Sequence, residues 1–270
     1  MSKAPVTKAL SFAALREGFA DPVQWAIICL LVAQVFLFRS SFAWLAEEWS
    51  SGSGFSSHGF LVSAVCVWLL LRDGRTISFA QIKPLYGLFI VVSGLSFAWL
   101  LGAVADVVVV HTTLLPLIAL SALLLVFGYS AAKTLSFGIL FLFFAMPVWE
   151  HISFIFQAIT TFAVSIAIRL VDIPVYVDGN HVFVPAGTFE IAEGCSGISF
   201  IVVGLSLAAL YGHLYLESIR SRLILASVAI GLAMVFNWIR VFTVILIGNA
   251  SNMQNPLVAD HGDLGWVIFG

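Results

Sequence analysis

Apolar residues in this chain come in long runs. Residues 23–42, 55–71, 86–104 and 107–127 each approach or reach the roughly 20 apolar positions that an α-helix needs to cross a bilayer. A fifth run covers residues 134–149, with Pro147 near its end. Two more cover 195–212 and 223–247, and a last one begins near Gly265. That last run is too short to cross the roughly 30 Å hydrocarbon core, so the reading is of a final helix cut short at Gly270. The pattern predicts an all-α membrane protein: a polytopic bundle of about eight transmembrane helices, folded as one domain over residues 1–270.

Residues 151–171 are apolar but interrupted by Gln157, Thr160, Thr161 and Ser165. The basic residues bear on how to read this piece. Lys3, Lys8 and Arg16 place the N-terminus in the cytoplasm by the positive-inside rule, and with no small-residue cleavage site the first run reads as a retained span. Arg72, Arg75 and Lys83 mark a second cytoplasmic loop, Lys133 a third, and Arg220 with Arg222 a fourth. Only Arg39, Arg169 and Arg240 fall on the other side. Between Lys133 and Arg220 the chain must then cross an even number of times. The runs at 134–149 and 195–212 already supply two crossings. Residues 151–171 are therefore expected to lie along the outer interface, with Arg169 snorkelling to water.

The least membrane-like stretch is 173–194. Val175-Tyr176-Val177 and Val182-Phe183-Val184 flank Asp178-Gly179-Asn180, a short hairpin signal, and Phe189-Glu190-Ile191 alternates as a third strand. A small extracytoplasmic β element therefore leads into a helix headed by Cys195.

Composition strengthens the membrane reading. The chain has 270 residues, of which 61% are hydrophobic and only 10% charged, and its mean hydropathy is +1.08. Soluble domains carry about a quarter charged residues, so lipid is the solvent for most of this surface. The net charge of -2, without a basic cluster, gives no support to nucleic acid as a partner. The three cysteines, Cys29, Cys66 and Cys195, are odd in number and widely scattered, which argues against a disulfide framework. No paired-cysteine or HExxH spacing suggests a metal, and no cofactor is expected.

Chemistry concentrates in three segments. Cys195 sits in Ala192-Glu193-Gly194-Cys195-Ser196-Gly197, where a helix N-terminus favours the thiolate and flanking glycines let a substrate backbone approach. Arg240 lies inside an apolar run, in Asn237-Trp238-Ile239-Arg240. Counted up from Arg222, it rises roughly 27 Å, to the level expected of Cys195. An arginine within a span is a functional candidate, and Asn237, three residues earlier on the same helix face, is placed to orient it. His261, in Asp260-His261-Gly262-Asp263-Leu264-Gly265-Trp266, is a candidate general base for a thiol. Ser196 and His58, the latter in Ser56-Ser57-His58-Gly59, are candidate substrate-orienting groups. A Cys–His pair with a cation fits acyl transfer: the base takes the thiol proton, the thiolate attacks a carbonyl, and the arginine stabilises the oxyanion.

The segment from Val184 to Gly197, the motif Asn237-Trp238-Ile239-Arg240-Val241 and the motif His261-x-x-x-Gly265-Trp266 together resemble the exosortase/archaeosortase family of membrane cysteine transpeptidases. The resemblance runs from about Ser57 to the C-terminus, although Ile198-Ser199 stands where many members carry Leu-Arg. It implies a catalytic set of Cys195, Arg240 and His261. It also implies protein substrates bearing C-terminal tails, built from a Pro-Glu-Pro-type signal, a transmembrane helix and a basic end. The expected setting is the inner membrane of a Gram-negative exopolysaccharide producer, with the site on the periplasmic side. A small transporter or a scaffold subunit of a polysaccharide-export system is the alternative. A transporter would use Arg240 but leaves Cys195 and the β element without a role, and no inverted repeat is visible to favour it.

Overall fold

A computed structural model describes residues 22–51 and 57–259. The described residues form two compact units. The first comprises described parts of residues 1–47 and 60–143, the second 48–59 and 144 onward.

The first unit holds α1 (Pro22–Leu37) and, as far as Glu47, α2 (Arg39–Ser50); the two divide the expected first span, bent by 87° between them. They are followed by α3 (Gly59–Gly74), α4 (Phe89–Val104) and α5 (Val108–Leu140). The 33-residue α5 breaks at Gly128, where φ is 81° and ψ is 178°, so it holds two helical stretches. Only glycine fits there: a Cβ would stand 2.0 Å from the Lys83 carbonyl oxygen. Val23, Ile27, Cys66, Leu70, Leu123, Phe127, Leu135 and Ile139 share one buried cluster. Buried polar groups tie the helices together, since an unmet donor in an apolar interior is costly. Gln34 donates to the Leu115 carbonyl at 2.7 Å, and Ser41 Oγ lies 2.9 Å from His111 Nδ1 while accepting from Trp99 Nε1 at 2.8 Å.

In the second unit, a 3₁₀ turn at Pro147–Ile152 leads into α6 (Ser153–Leu170). A three-stranded antiparallel sheet follows, β1 (Tyr176–Asp178), β2 (His181–Val184) and β3 (Gly187–Glu190) in the order β1-β2-β3. Asp178 pairs with His181, which leaves a two-residue turn at Gly179-Asn180 with Gly179 at φ 56°. The hairpin expected from Asp178-Gly179-Asn180 is present. The third strand begins at Gly187, two residues before the expected Phe189. After a 3₁₀ turn at Glu193–Cys195 come α7 (Ile198–Tyr215), α8 (Ile219–Ala250) and the short α9 (Pro256–Ala259). One face of the sheet, with Val182, Val184, Phe189 and Ile191, packs on Val164 and Ile168 of α6 and on Val241 and Ile245 of α8.

The expected interfacial helix over residues 151–171 is corrected by the packing. Gln157, Thr160, Thr161 and Ser165 are buried, while Phe154, Phe162 and Leu170 are exposed. A helix lying at a membrane surface does the reverse, turning polar residues to water. Together with the 3₁₀ turn before it, α6 is long and apolar enough to cross a membrane.

The count of about eight spans is also revised among the described residues. Five helical segments are long and apolar enough to cross, or six when the bent pair α1–α2 is taken as one span. The runs expected at 107–127 and 134–149 both lie largely within Val108–Ala145, which counts once although it breaks at Gly128, and the 16-residue α3 falls short. The expected truncated helix after Gly265 lies outside the described residues.

Candidate active site

Two arms of matched length, leading away from one short link, carry the site. A three-residue link joins α7 to α8, and Arg222 closes the end of α7 by donating from Nε and Nη2 to the Leu216 carbonyl at 2.9 and 2.7 Å. Cys195 lies 20 residues before Tyr215, and Arg240 lies 21 residues after Ile219. Folding the two arms back against each other therefore brings Cys195 and Arg240 together. Arg240 Nη2 donates to Cys195 Sγ at 3.4 Å.

Cys195 does not head the helix as expected. It closes a 3₁₀ turn, and α7 starts three residues later at Ile198. The connecting Gly197 takes a left-handed φ of 89°, and a Cβ there would stand 2.7 Å from Asn237 Nδ2. Gly194 has nothing within 4 Å of where its Cβ would be. Of the two flanking glycines, Gly194 leaves open space and Gly197 serves packing.

Asn237 shares a helix face with Arg240, as expected, but its partner is different. Its Nδ2 donates to the Cys195 carbonyl at 2.9 Å and makes a longer contact of 3.4 Å to Thr160 Oγ1. Thr160 in turn donates to the Ser196 carbonyl at 3.2 Å, and Gln157 Nε2 donates to the Ile191 carbonyl. The polar stripe of α6 thus holds the loop that presents the thiol. Thr160 and Gln157 were missed as site residues, although their spacing in an otherwise apolar helix was the available signal.

Arg240 is only 7% exposed. Its guanidinium lies 5.5 Å from the centre of the Phe200 ring, and its Nε has no hydrogen-bond partner among the described residues. Cys195 and Arg240 open on a pocket of about 240 Å³. Thr188 to Ile191 line one side, and Val241, Val244, Ile245, Met253 and Val258 make the rest of it mostly apolar.

Ser196 is buried, with its hydroxyl 3.4 Å from the Ile198 amide, and does not line the pocket. His58 does not line the pocket; its Nε2 lies 2.8 Å from the Phe144 carbonyl. His261 lies outside the described residues. Among the described residues, no three His, Cys, Asp or Glu side chains converge as a metal site.

The transmembrane exosortase family model (Exosortase_EpsH) matches residues 49–270, most of the chain. The chain belongs to the transmembrane exosortase family. The match takes in the Cys195 loop, all of α8 and the His261 motif. No curated protein and no solved structure matches the chain. Exosortases are membrane cysteine peptidases or transpeptidases, and a thiol beside a buried guanidinium in a pocket is an arrangement on which such chemistry can be built.

Proposed function

We propose that this exosortase uses Cys195 as a nucleophile to cleave C-terminal sorting tails from exported proteins. The observation that carries the reading is the 3.4 Å contact between Arg240 Nη2 and Cys195 Sγ at the wall of an apolar pocket. In the proposed reaction the thiol gives its proton to a base and the sulfur attacks the scissile carbonyl carbon. The C–N bond breaks, the amine leaves with a proton, and a thioester joins the substrate to Cys195. Water or an amine acceptor then attacks the thioester and regenerates the thiol. Arg240, with an unused Nε donor in a water-poor setting, is suited to the oxyanion of each tetrahedral intermediate.

His261 is the proposed base. Its motif, His261-x-x-x-Gly265-Trp266, falls within the residues that the family model matches. Arg220 and Arg222, at the ends of α7 and α8 far from Cys195 and Arg240, support a site on the periplasmic side of a bacterial inner membrane. The proposed substrates are proteins ending in a Pro-Glu-Pro-type signal, a transmembrane helix and a basic end.

The test is to trap the acyl-enzyme. Rapid acid quenching of the enzyme with a tail-bearing reporter should give an adduct on Cys195 that neutral hydroxylamine releases. Tail cleavage that proceeds with no hydroxylamine-sensitive adduct, in single-turnover conditions, contradicts the covalent route.

A further inference from the structure

We propose that the substrate segment binds as a fourth strand on the free edge of β3, and that this pairing delivers the scissile carbonyl to Cys195. The inference rests on the nucleophile reading above. It adds the conformation of the substrate and the surface that reads it.

The sheet order leaves β3 paired on one side only. Its register with β2 tells which main-chain groups are spent. Ile191 N–H donates to the Asn180 carbonyl, and Val182 faces Phe189 while Val184 faces Gly187. In an antiparallel ladder hydrogen-bonded pairs alternate with non-bonded ones. Counting back from the bonded Asn180–Ile191 pair, Phe189 and Gly187 bond toward β2, whereas Thr188 and Glu190 direct N–H and C=O away from it. These outward groups have no other partner among the described residues. Four consecutive residues, Thr188 to Ile191, line the same pocket as Cys195.

An open strand edge is a template for another extended chain. The pocket beside it supplies the second requirement, a place for alternate side chains. Phe189 is buried and turns toward α8, whereas Thr188 and Glu190 are exposed. A chain paired on β3 would therefore send every second side chain toward Val241, Val244 and Met253, and the others outward. The occupant is thus an extended peptide with small or apolar residues at alternate positions next to the cleavage point. Main-chain pairing tolerates varied side chains, which suits an enzyme that acts on one tail carried by many proteins.

The experiment uses the full chain with Cys29→Ala and Cys66→Ala, leaving Cys195 as its one thiol. A heptapeptide Thr-Val-Thr-Cys-Thr-Val-Thr, activated as its thiopyridyl disulfide, is tethered to Cys195, so occupancy does not depend on turnover. Residue-resolved hydrogen exchange then follows Thr188 and Glu190. Tethering should slow both amides at least tenfold, and a tethered peptide N-methylated at all its edge-facing amides should give no such slowing. A tether that forms and leaves both amides exchanging as in the free enzyme overturns the inference and leaves the nucleophile reading standing. Failure of Cys195 to form the tether at all, in protein that remains folded, overturns both.

Discussion

Asn237 and Cys195 are joined by a 2.9 Å hydrogen bond from the Asn237 side-chain amide to the Cys195 carbonyl. One turn further along the same helix, Arg240 donates to the thiol itself. A single helix face thus holds the cysteine by its main chain and addresses it by its side chain. This arrangement fixes the thiol relative to its cation without help from a mobile loop, the kind of preorganisation on which acyl transfer depends.

Asn237→Asp is expected to uncouple this. The carboxylate cannot donate to the Cys195 carbonyl, and a buried group left unmet costs about 1–3 kcal/mol. Tail cleavage should fall by an order of magnitude or more while the protein still inserts. Thr160→Val, which removes only a 3.2 Å bond to the Ser196 carbonyl, should have a milder effect. Cleavage assays on equal amounts of membrane-inserted protein rank the two variants. A Thr160→Val defect as deep as that of Asn237→Asp contradicts the assignment of the main support to Asn237.

Gly197→Ala tests packing at the same place. A methyl group there meets Asn237 at 2.7 Å on a left-handed backbone that costs about 1–2 kcal/mol for any other residue. The variant should melt earlier in detergent and react differently at Cys195 with a small alkylating agent. Gly194→Ala, with open space around it, should match the wild type in both measurements.

Arg240→Lys keeps the charge and loses the planar fork of donors. A charge-assisted hydrogen bond contributes about 1.5–3 kcal/mol, so a loss of roughly 10- to 100-fold in cleavage is expected at normal accumulation. Turnover within twofold of wild type would reduce Arg240 to a general charge.

Gly128→Ala addresses the first unit alone. Its Cβ would overlap the Lys83 carbonyl, and φ of 81° disfavours any side chain. The variant should accumulate poorly and melt earlier, and the fraction that folds should label at Cys195 as the wild type does. Normal accumulation and melting would contradict the break at Gly128.

What the sequence revealed follows from the physics each signal carries. Arg240 stood out because lipid makes a charge in an apolar run expensive, and helix rise alone set its level near Cys195. The hairpin was visible because Gly179 supplies a positive φ between two alternating stretches. The partner of Asn237 was hidden, because three-residue spacing tells which neighbours share a face and says nothing of the opposite helix. The polar stripe of α6 was seen and misread. Gln157, Thr160, Thr161 and Ser165 make the same pattern on an interfacial helix as on one whose polar face is turned inward, and only the burial of those four side chains separates the two. The 87° bend between α1 and α2 carried no proline or glycine near Phe38, and polar Arg39-Ser40-Ser41 near the end of the apolar run was the mark it did leave.

The central claim is that Cys195 is the nucleophile, and Cys195→Ser tests it most directly. The change keeps the shape of the side chain and replaces the sulfur with a hydroxyl that barely ionises. Cells whose only copy is Cys195→Ser should contain normal amounts of inserted enzyme and should accumulate Pro-Glu-Pro-tailed precursors with their C-terminal helices intact. Cys29→Ala and Cys66→Ala should process those precursors as the wild type does, since neither thiol lines the pocket that holds Cys195. Full tail cleavage by the Cys195→Ser enzyme, measured by the mass of the mature proteins, would contradict the account.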